Sequence, residues 1–328
     1  MIIVRAPLRL SLGGGGTDLP GYFLKNDGFV VSAAINKFIT IVINENLKNR
    51  FEIKYSKYEN VFKINEIKHN IIRECLKYLK IKKGIEISSF SDVPHGTGLG
   101  SSGAFTVCLL KGLYLLKKIK ISNKNLALKA FHIERKVLKE PVGLQDQFTA
   151  AYGGLLKQIY KKNKVTIKNI KINKDIKKNF NKKLILIYSG ITRYSKKILQ
   201  RQDYLSSINN KRIINNLNKI KKIGYEVYNE IINNNLSNYG KLLNDHWQCK
   251  IKIDNKIINK KINYIISLCK ANDVVSYRVV GAGAGGYILA FANNFKKIKK
   301  ILKDKKIIFL PIKIEEKGVR VIDNYNKN

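Results

Sequence analysis

Between Pro94 and Phe105 the chain reads PHGTGLGSSGAF, in which Gly96, Gly98, Gly100 and Gly103 are interleaved with Ser101 and Ser102 directly before an apolar, helix-like run. Glycine leaves the main chain uncovered and lets it take positive φ. A helix that starts at Ser101 aims its unpaired N–H groups and the positive end of its dipole into that loop. Such a cradle suits a phosphate, and the serine hydroxyls can reach phosphate oxygens or a bound Mg²⁺. The chemistry this stretch serves is therefore the holding of an anion against bare backbone.

Two further glycine runs exist, GGGGTD at 13–18 and GAGAGG at 281–286. One such loop alone reads as a tight turn; three, with one opening a helix, favour a ligand. The Lys–Ser/Thr ending of a P-loop is missing from all three. GAGAGG fits the spacing GxGxxG, but YILAF continues it as a strand where a dinucleotide fold needs a helix, so that fold is excluded.

The elements that must position these loops follow from periodicity. MIIVRAPLRLSL reads as a strand ending at Gly13, and 28–44 as one or two β-branched strands. Residues 65–80 have one apolar helical face, IEISSF is a strand, and helices are expected at 101–116, 123–138 and from Gln145. LILIYSG at 184–190 is a buried strand, and a long amphipathic helix carries Ile213, Leu217, Ile220, Val227 and Ile231. Residues 277–291 read as strand–loop–strand and 307–314 as a last strand. Strands and helices mix without βαβ alternation, which gives an α+β class. The Lys/Asn-rich stretch 161–183 is the expected seam between a domain at 1–170 and one at 184–328.

With these loops in place, the chain resembles the GHMP kinases. PHGTGLGSSG is similar to their central motif, APLRLSLGGGGTD (6–18) to the N-terminal one and GAGAGG to the C-terminal one, in the family's order. The variant RAPLRLSLGGGGTDLPGYF resembles most closely the heptose 7-phosphate kinase branch. The resemblance implies an N-terminal domain of the ribosomal protein S5 domain 2 type and a ferredoxin-like C-terminal domain. It implies ATP on Pro94, Gly96, Gly98, Leu99, Gly100, Ser101, Ser102 and Gly103, with Mg²⁺ on Ser102 and Glu134. Asp146, in GLQDQ, matches the catalytic Asp, and Arg9 matches a cation beside it. Asp18, with Gly16 and Thr17, matches the sugar-binding loop. Gly283 and Gly285 are expected on the substrate side of the third loop. The activity implied is ATP-dependent phosphorylation of the anomeric hydroxyl of a heptose 7-phosphate; a kinase of an unphosphorylated sugar of the galactose or fucose type is the alternative, and a basic nucleic-acid-binding protein with an idle kinase site the remoter one.

A phosphorylated acceptor needs a second anion site. Arginine is scarce beside lysine here, so Arg193 and Arg278, each beside an expected site loop, are the candidates for paired contacts to phosphate. Each of these residues has a plainer alternative. Glu134 could be a solvated helix charge, Asp146 a helix N-terminal charge, Asp18 a turn residue, and each arginine a surface side chain. His95, His132, His246 and Trp247 have no motif and read as packing or surface residues, although DHWQ (245–248) could border the cleft.

The bulk numbers constrain the remaining function classes. Lys+Arg 63 against Asp+Glu 23 gives +40 over 328 residues, which taken alone suggests polyanions. The lysines are spread over the whole chain with Asn and Ile, not clustered with Arg and aromatics, so no specific nucleic-acid partner is expected. Cys75, Cys108, Cys249 and Cys269 form no CxxC pair, which disfavours a zinc or disulfide framework and fits a cytoplasmic protein. The N-terminus does not read as a signal peptide, and no apolar run reaches membrane-spanning length.

Overall fold

The computed structural model describes residues 1–192 and 196–324. Among the described residues twelve strands fall in chain order. The first seven are β1 (Ile2–Gly13), β2 (Gly28–Glu45), β3 (Phe51–Lys54), β4 (Tyr58–Val61), β5 (Ile85–Ser91), β6 (Leu155–Lys161) and β7 (Lys164–Asn169). Then come β8 (Leu184–Tyr188), β9 (Ser276–Val279), β10 (Tyr287–Phe291), β11 (Phe309–Pro311) and β12 (Arg320–Asn324). The helices of the first half are α1 (Pro20–Asn26), α2 (Asn70–Tyr78), α3 (Ser101–Leu116), α4 (Asn123–Phe131) and α5 (Gln145–Tyr152). The second half adds α6 (Lys174–Lys183), α7 (Lys196–Ser207), α8 (Lys211–Ile232), α9 (Tyr239–Ile253), α10 (Lys260–Lys270) and α11 (Lys296–Asp304).

The strands build two sheets. The first has the order β12-β1-β2-β5-β3-β4, with β6 on the other end of β2 and β7 beside it; the second is β11-β8-β10-β9, all antiparallel. Strand β2 can serve two neighbours because it is long: Ile39–Glu45 pair with β5 and Gly28–Ala33 with β6. The mixed α+β class expected from the sequence is what the chain adopts. The expected helix over 123–138 is α4 followed by a π-helical turn over His132–Val137. The expected last strand over 307–314 is shorter, and β12 follows it.

β12 does not stay with the second sheet. It returns to pair with the start of β1, and Ile314 bridges to Ile35 of β2. The chain's last stretch thus lies on the first sheet, whereas a division at 184 had put it in the second domain.

Two cores hold the layers. The larger surrounds the first sheet and takes in Ile213, Leu217, Ile220 and Val227 of α8. The smaller covers the other face of the second sheet with α10 and α11. Helix α8 lies against β1 where Gly13 faces Gly224; a Cβ on Gly13 would sit 3.1 Å from the Gly224 Cα. This close crossing fixes the loop that follows Gly13. Among the described residues no helix is long and apolar enough to cross a membrane.

Candidate active site

Helix α3 starts as the loop requires. Its N-cap is Gly100 at φ 72°, with no side-chain cap, so the first turn at Ser101–Gly103 keeps its N–H groups for something outside the helix. The backbone of Arg9 donates to the Leu99 carbonyl at 3.0 Å, and the Leu99 side chain is fully buried. The loop therefore offers main chain, not side chains, to its ligand.

The third glycine loop buttresses this cradle. A Cβ on Gly98 would lie 2.7 Å from the Val280 carbonyl oxygen, and one on Gly286 would lie 2.2 Å from that of Thr97. Tyr287 N–H donates to the Thr97 carbonyl at 3.2 Å. Gly283, at φ 97°, packs on Ile257, and Gly285 is buried. The loop expected to line the substrate thus packs against the Gly96–Gly103 loop.

Asp146 opens α5 and meets Arg9 of β1. Arg9 Nε donates to Asp146 Oδ1 at 2.6 Å and Nη2 to Oδ2 at 3.1 Å, a two-pronged pair. Arg9 Nη1 also donates to the Gly98 carbonyl at 2.5 Å. One guanidinium thus joins the acid to the phosphate loop. Gly100 and Gly103 are glycines because this acid lies against them: a Cβ on Gly103 would be 2.7 Å from the Asp146 Cβ.

Glu134 comes from the π-helical turn, a distortion that occurs often at functional sites. It is fully buried, accepts from Ser102 Oγ at 2.5 Å and from Gln147 Nε2 at 3.0 Å, and burial pushes its carboxyl up to about 7. Gln147 Oε1 beside it is buried without a partner. Among the described residues no group of three or more His, Cys, Asp or Glu could hold a metal. A hydroxyl and one buried carboxylate nevertheless fit Mg²⁺, which takes few protein oxygens and completes its shell with phosphates and water.

The loop at 13–18 is tied to the same centre. Asp18 is buried and accepts from Gly16 N–H at 3.1 Å, Gln145 N–H at 3.1 Å and Gln145 Nε2 at 3.2 Å. Burial, and then Asp146 nearby, raise its carboxyl above the usual range. Asp18 thus clamps the first turn of α5 to the loop. Thr17 is also buried, its hydroxyl bonded to the Gly14 and Phe29 carbonyls at 2.8 and 2.9 Å. Gly16 is the more accessible member, and Gln202 of α7 donates to its carbonyl at 3.2 Å.

Arg278 is no surface side chain. On the edge strand β9 it is 3% exposed, its Nη2 donates to the Ser11 carbonyl, and its Nη1 meets the ring of His246. Arg193 lies outside the described residues. Sequence reasoning missed two neighbours. His246 of α9 is buried, and burial with Arg278 nearby holds its imidazole well below the usual range. Lys250, one turn further along α9, bonds its ammonium to the Gly281 carbonyl. The one available signal was the DHWQ segment; the lysine itself was hidden among more than fifty others.

Residues 69–154 match the GHMP kinases N terminal domain, and residues 228–304 match the GHMP kinases C terminal domain. A D-glycero-alpha-D-manno-heptose 7-phosphate kinase of Campylobacter jejuni is 27% identical over 93% of this chain and 94% of its own length. A crystal structure of a D-glycero-D-manno-heptose 1-phosphate kinase from Bacteriodes thetaiotaomicron superposes with a TM-score of 0.82. It is 20% identical and covers 99% of this chain and 100% of that one. The mevalonate kinase of Methanococcus jannaschii gives 0.72 at 21% identity, over 95% and 98% of the two chains. Both domains are matched in chain order on a fold shared from end to end, and the chain belongs to the GHMP kinase family.

Proposed function

We propose that this protein transfers the γ-phosphoryl group of ATP to the anomeric hydroxyl of D-glycero-D-manno-heptose 7-phosphate, giving the 1,7-bisphosphate. The observation that carries the reading is the Arg9–Asp146 pair hung on the Gly98 carbonyl of the phosphate loop. It sets an acid and a cation where donor and acceptor would meet. The heptose acceptor rests on the full-length likeness to the Campylobacter enzyme.

In this reading the Gly96–Gly103 backbone and the start of α3 hold the ATP phosphates. Ser102 and Glu134 would hold Mg²⁺, which would supply charge neutralisation to the phosphates. Gly16, Thr17 and Asp18 shape the acceptor side. The anomeric hydroxyl gives its proton to Asp146 as its oxygen bonds to phosphorus, and the bond to ADP breaks. Arg9 orients Asp146 and offsets the negative charge that gathers on the oxygens in flight. Arg193 and Arg278 are the arginines proposed for the acceptor's own phosphate.

A kinase of an unphosphorylated sugar is the second reading. It is favoured by the engagement of Arg278 with Ser11 and His246, which leaves that guanidinium less free to grip a phosphate. An ADP-release assay over heptose 7-phosphate, heptose 1-phosphate, free heptose, galactose and fucose separates the two. Selective turnover of the 7-phosphate supports the first; equal or better use of free sugars replaces it with the second.

A further inference from the structure

Lys250 lies on α9 near His246 and Arg278. It projects from α9 to the joint between two glycine loops, and its ammonium bonds to the Gly281 carbonyl. Gly281 touches the phosphate loop: a Cβ on it would lie 2.7 Å from the Gly98 Cα. The Gly98 carbonyl in turn holds Arg9, which holds Asp146. The ammonium therefore stands at the junction of the two glycine loops, within electrostatic reach of Arg9.

Its electrostatic surroundings are unbalanced. Burial, and then Arg278 and Arg9, lower its ammonium to about 7. Among the described residues no carboxylate pairs with it, and Asp146 is already taken by Arg9. Arg278 Nε is buried without a partner. A half-buried cation beside two others gains most when an anion arrives to pair with it.

We propose that Lys250 is a further catalytic residue, whose ammonium contacts the oxygens of the phosphoryl group in transit. The transfer breaks the bond from phosphorus to the bridging oxygen of ADP and forms one to the acceptor oxygen, whose proton passes to Asp146. Charge on the three equatorial oxygens is greatest between these events, and a fixed cation there lowers the barrier. Arg9 would meet that group from β1 and Lys250 from α9. The proposal rests on the kinase reading and not on which sugar is the acceptor.

The test compares the parent with Lys250→Met, which keeps the apolar stem, and with Lys250→Gln. Three quantities are read: kcat with the sugar that the parent accepts, the affinity for ADP against that for ADP with aluminium fluoride, and the melting temperature. Both variants should bind ADP within about two-fold of the parent while losing on the order of 10²-fold in kcat. They should also lose at least about ten-fold of the preference for ADP–aluminium fluoride over ADP. The melting temperature should hold or rise, since an unpaired cation has been removed. Parent-like kcat overturns the proposal. A loss of kcat with a lower melting temperature and an unchanged aluminium fluoride preference also overturns it, and leaves Lys250 as a brace for the Gly281 carbonyl. If the parent turns over none of the sugars, the substrate reading fails, while the aluminium fluoride comparison still decides the role of Lys250.

Discussion

Gly281 and Gly98 meet backbone to backbone, so that a Cβ on Gly281 would lie 2.7 Å from the Gly98 Cα and 2.9 Å from its carbonyl oxygen. Gly281 is also at φ 65°, a conformation that costs an L-residue roughly 1–2 kcal/mol. The C-terminal glycine motif is thus a strut under the phosphate loop. Gly281→Ala should push that loop outward, lower the melting temperature by at least about 3 °C and raise the KM for ATP several-fold. Thermal unfolding and ATP-dependence of turnover check both effects; an unchanged KM for ATP would uncouple the two loops.

Asp146→Asn keeps the shape of the side chain but removes the acceptor of the hydroxyl proton. Turnover should fall by a factor on the order of 10² or more with ATP binding nearly intact. Arg9→Met should lose comparable turnover, and the double variant little more than either single one, because the two groups form one hydrogen-bonded unit. Steady-state kinetics of the three variants test this; fully multiplicative losses would mean independent roles.

Ser102→Ala and Glu134→Ala should each raise the Mg²⁺ concentration needed for half-maximal activity. The two side chains are bonded to each other at 2.5 Å and are the oxygens proposed for the metal. Titrating activity against Mg²⁺ reads the shift. Parent-like curves in both variants would put the metal elsewhere.

The ammonium of Lys250, lowered to about 7 by burial and by Arg278 and Arg9, makes stability depend on pH. An unfolded lysine keeps its proton up to about 10.5, so between about 7 and 10.5 the unfolded chain holds a proton that the folded chain has released. Stability from this group therefore rises with pH through that window. His246, which also faces this ammonium, is held well below its usual range and does not titrate there. Urea unfolding at pH 7, 8 and 9 should show the parent gaining on Lys250→Met as pH rises. A constant or shrinking difference would contradict the placement of the ammonium.

Much of this fold could be read in advance because its signals are local. Glycines before Ser101 announce a helix start with bare N–H groups, and the apolar alternation of β1 and the face of α8 announce burial. What could not be read depends on distant partners. The five residues of β12 carry no pattern that says they will return to β1. The π-helical turn that presents Glu134 lies in an ordinary helical composition. Asp18 and Thr17 look like ligand contacts in a glycine-rich loop, yet their hydrogen bonds run largely inward, to Gln145 and Phe29. Lys250 was invisible for a compositional reason: where lysine fills most tolerant positions, its presence at one demanding position carries no signal.

The central claim is phosphoryl transfer from ATP to the anomeric hydroxyl of a heptose phosphate at the Arg9–Asp146 pair. Phosphorus NMR of the protein with ATP, Mg²⁺ and D-glycero-D-manno-heptose 7-phosphate tests it most directly. The account predicts loss of the γ-phosphate signal with growth of a second sugar phosphate resonance coupled to the anomeric proton, and no such growth with Asp146→Asn. Release of orthophosphate alone, or a new phosphate on any other carbon, would contradict it.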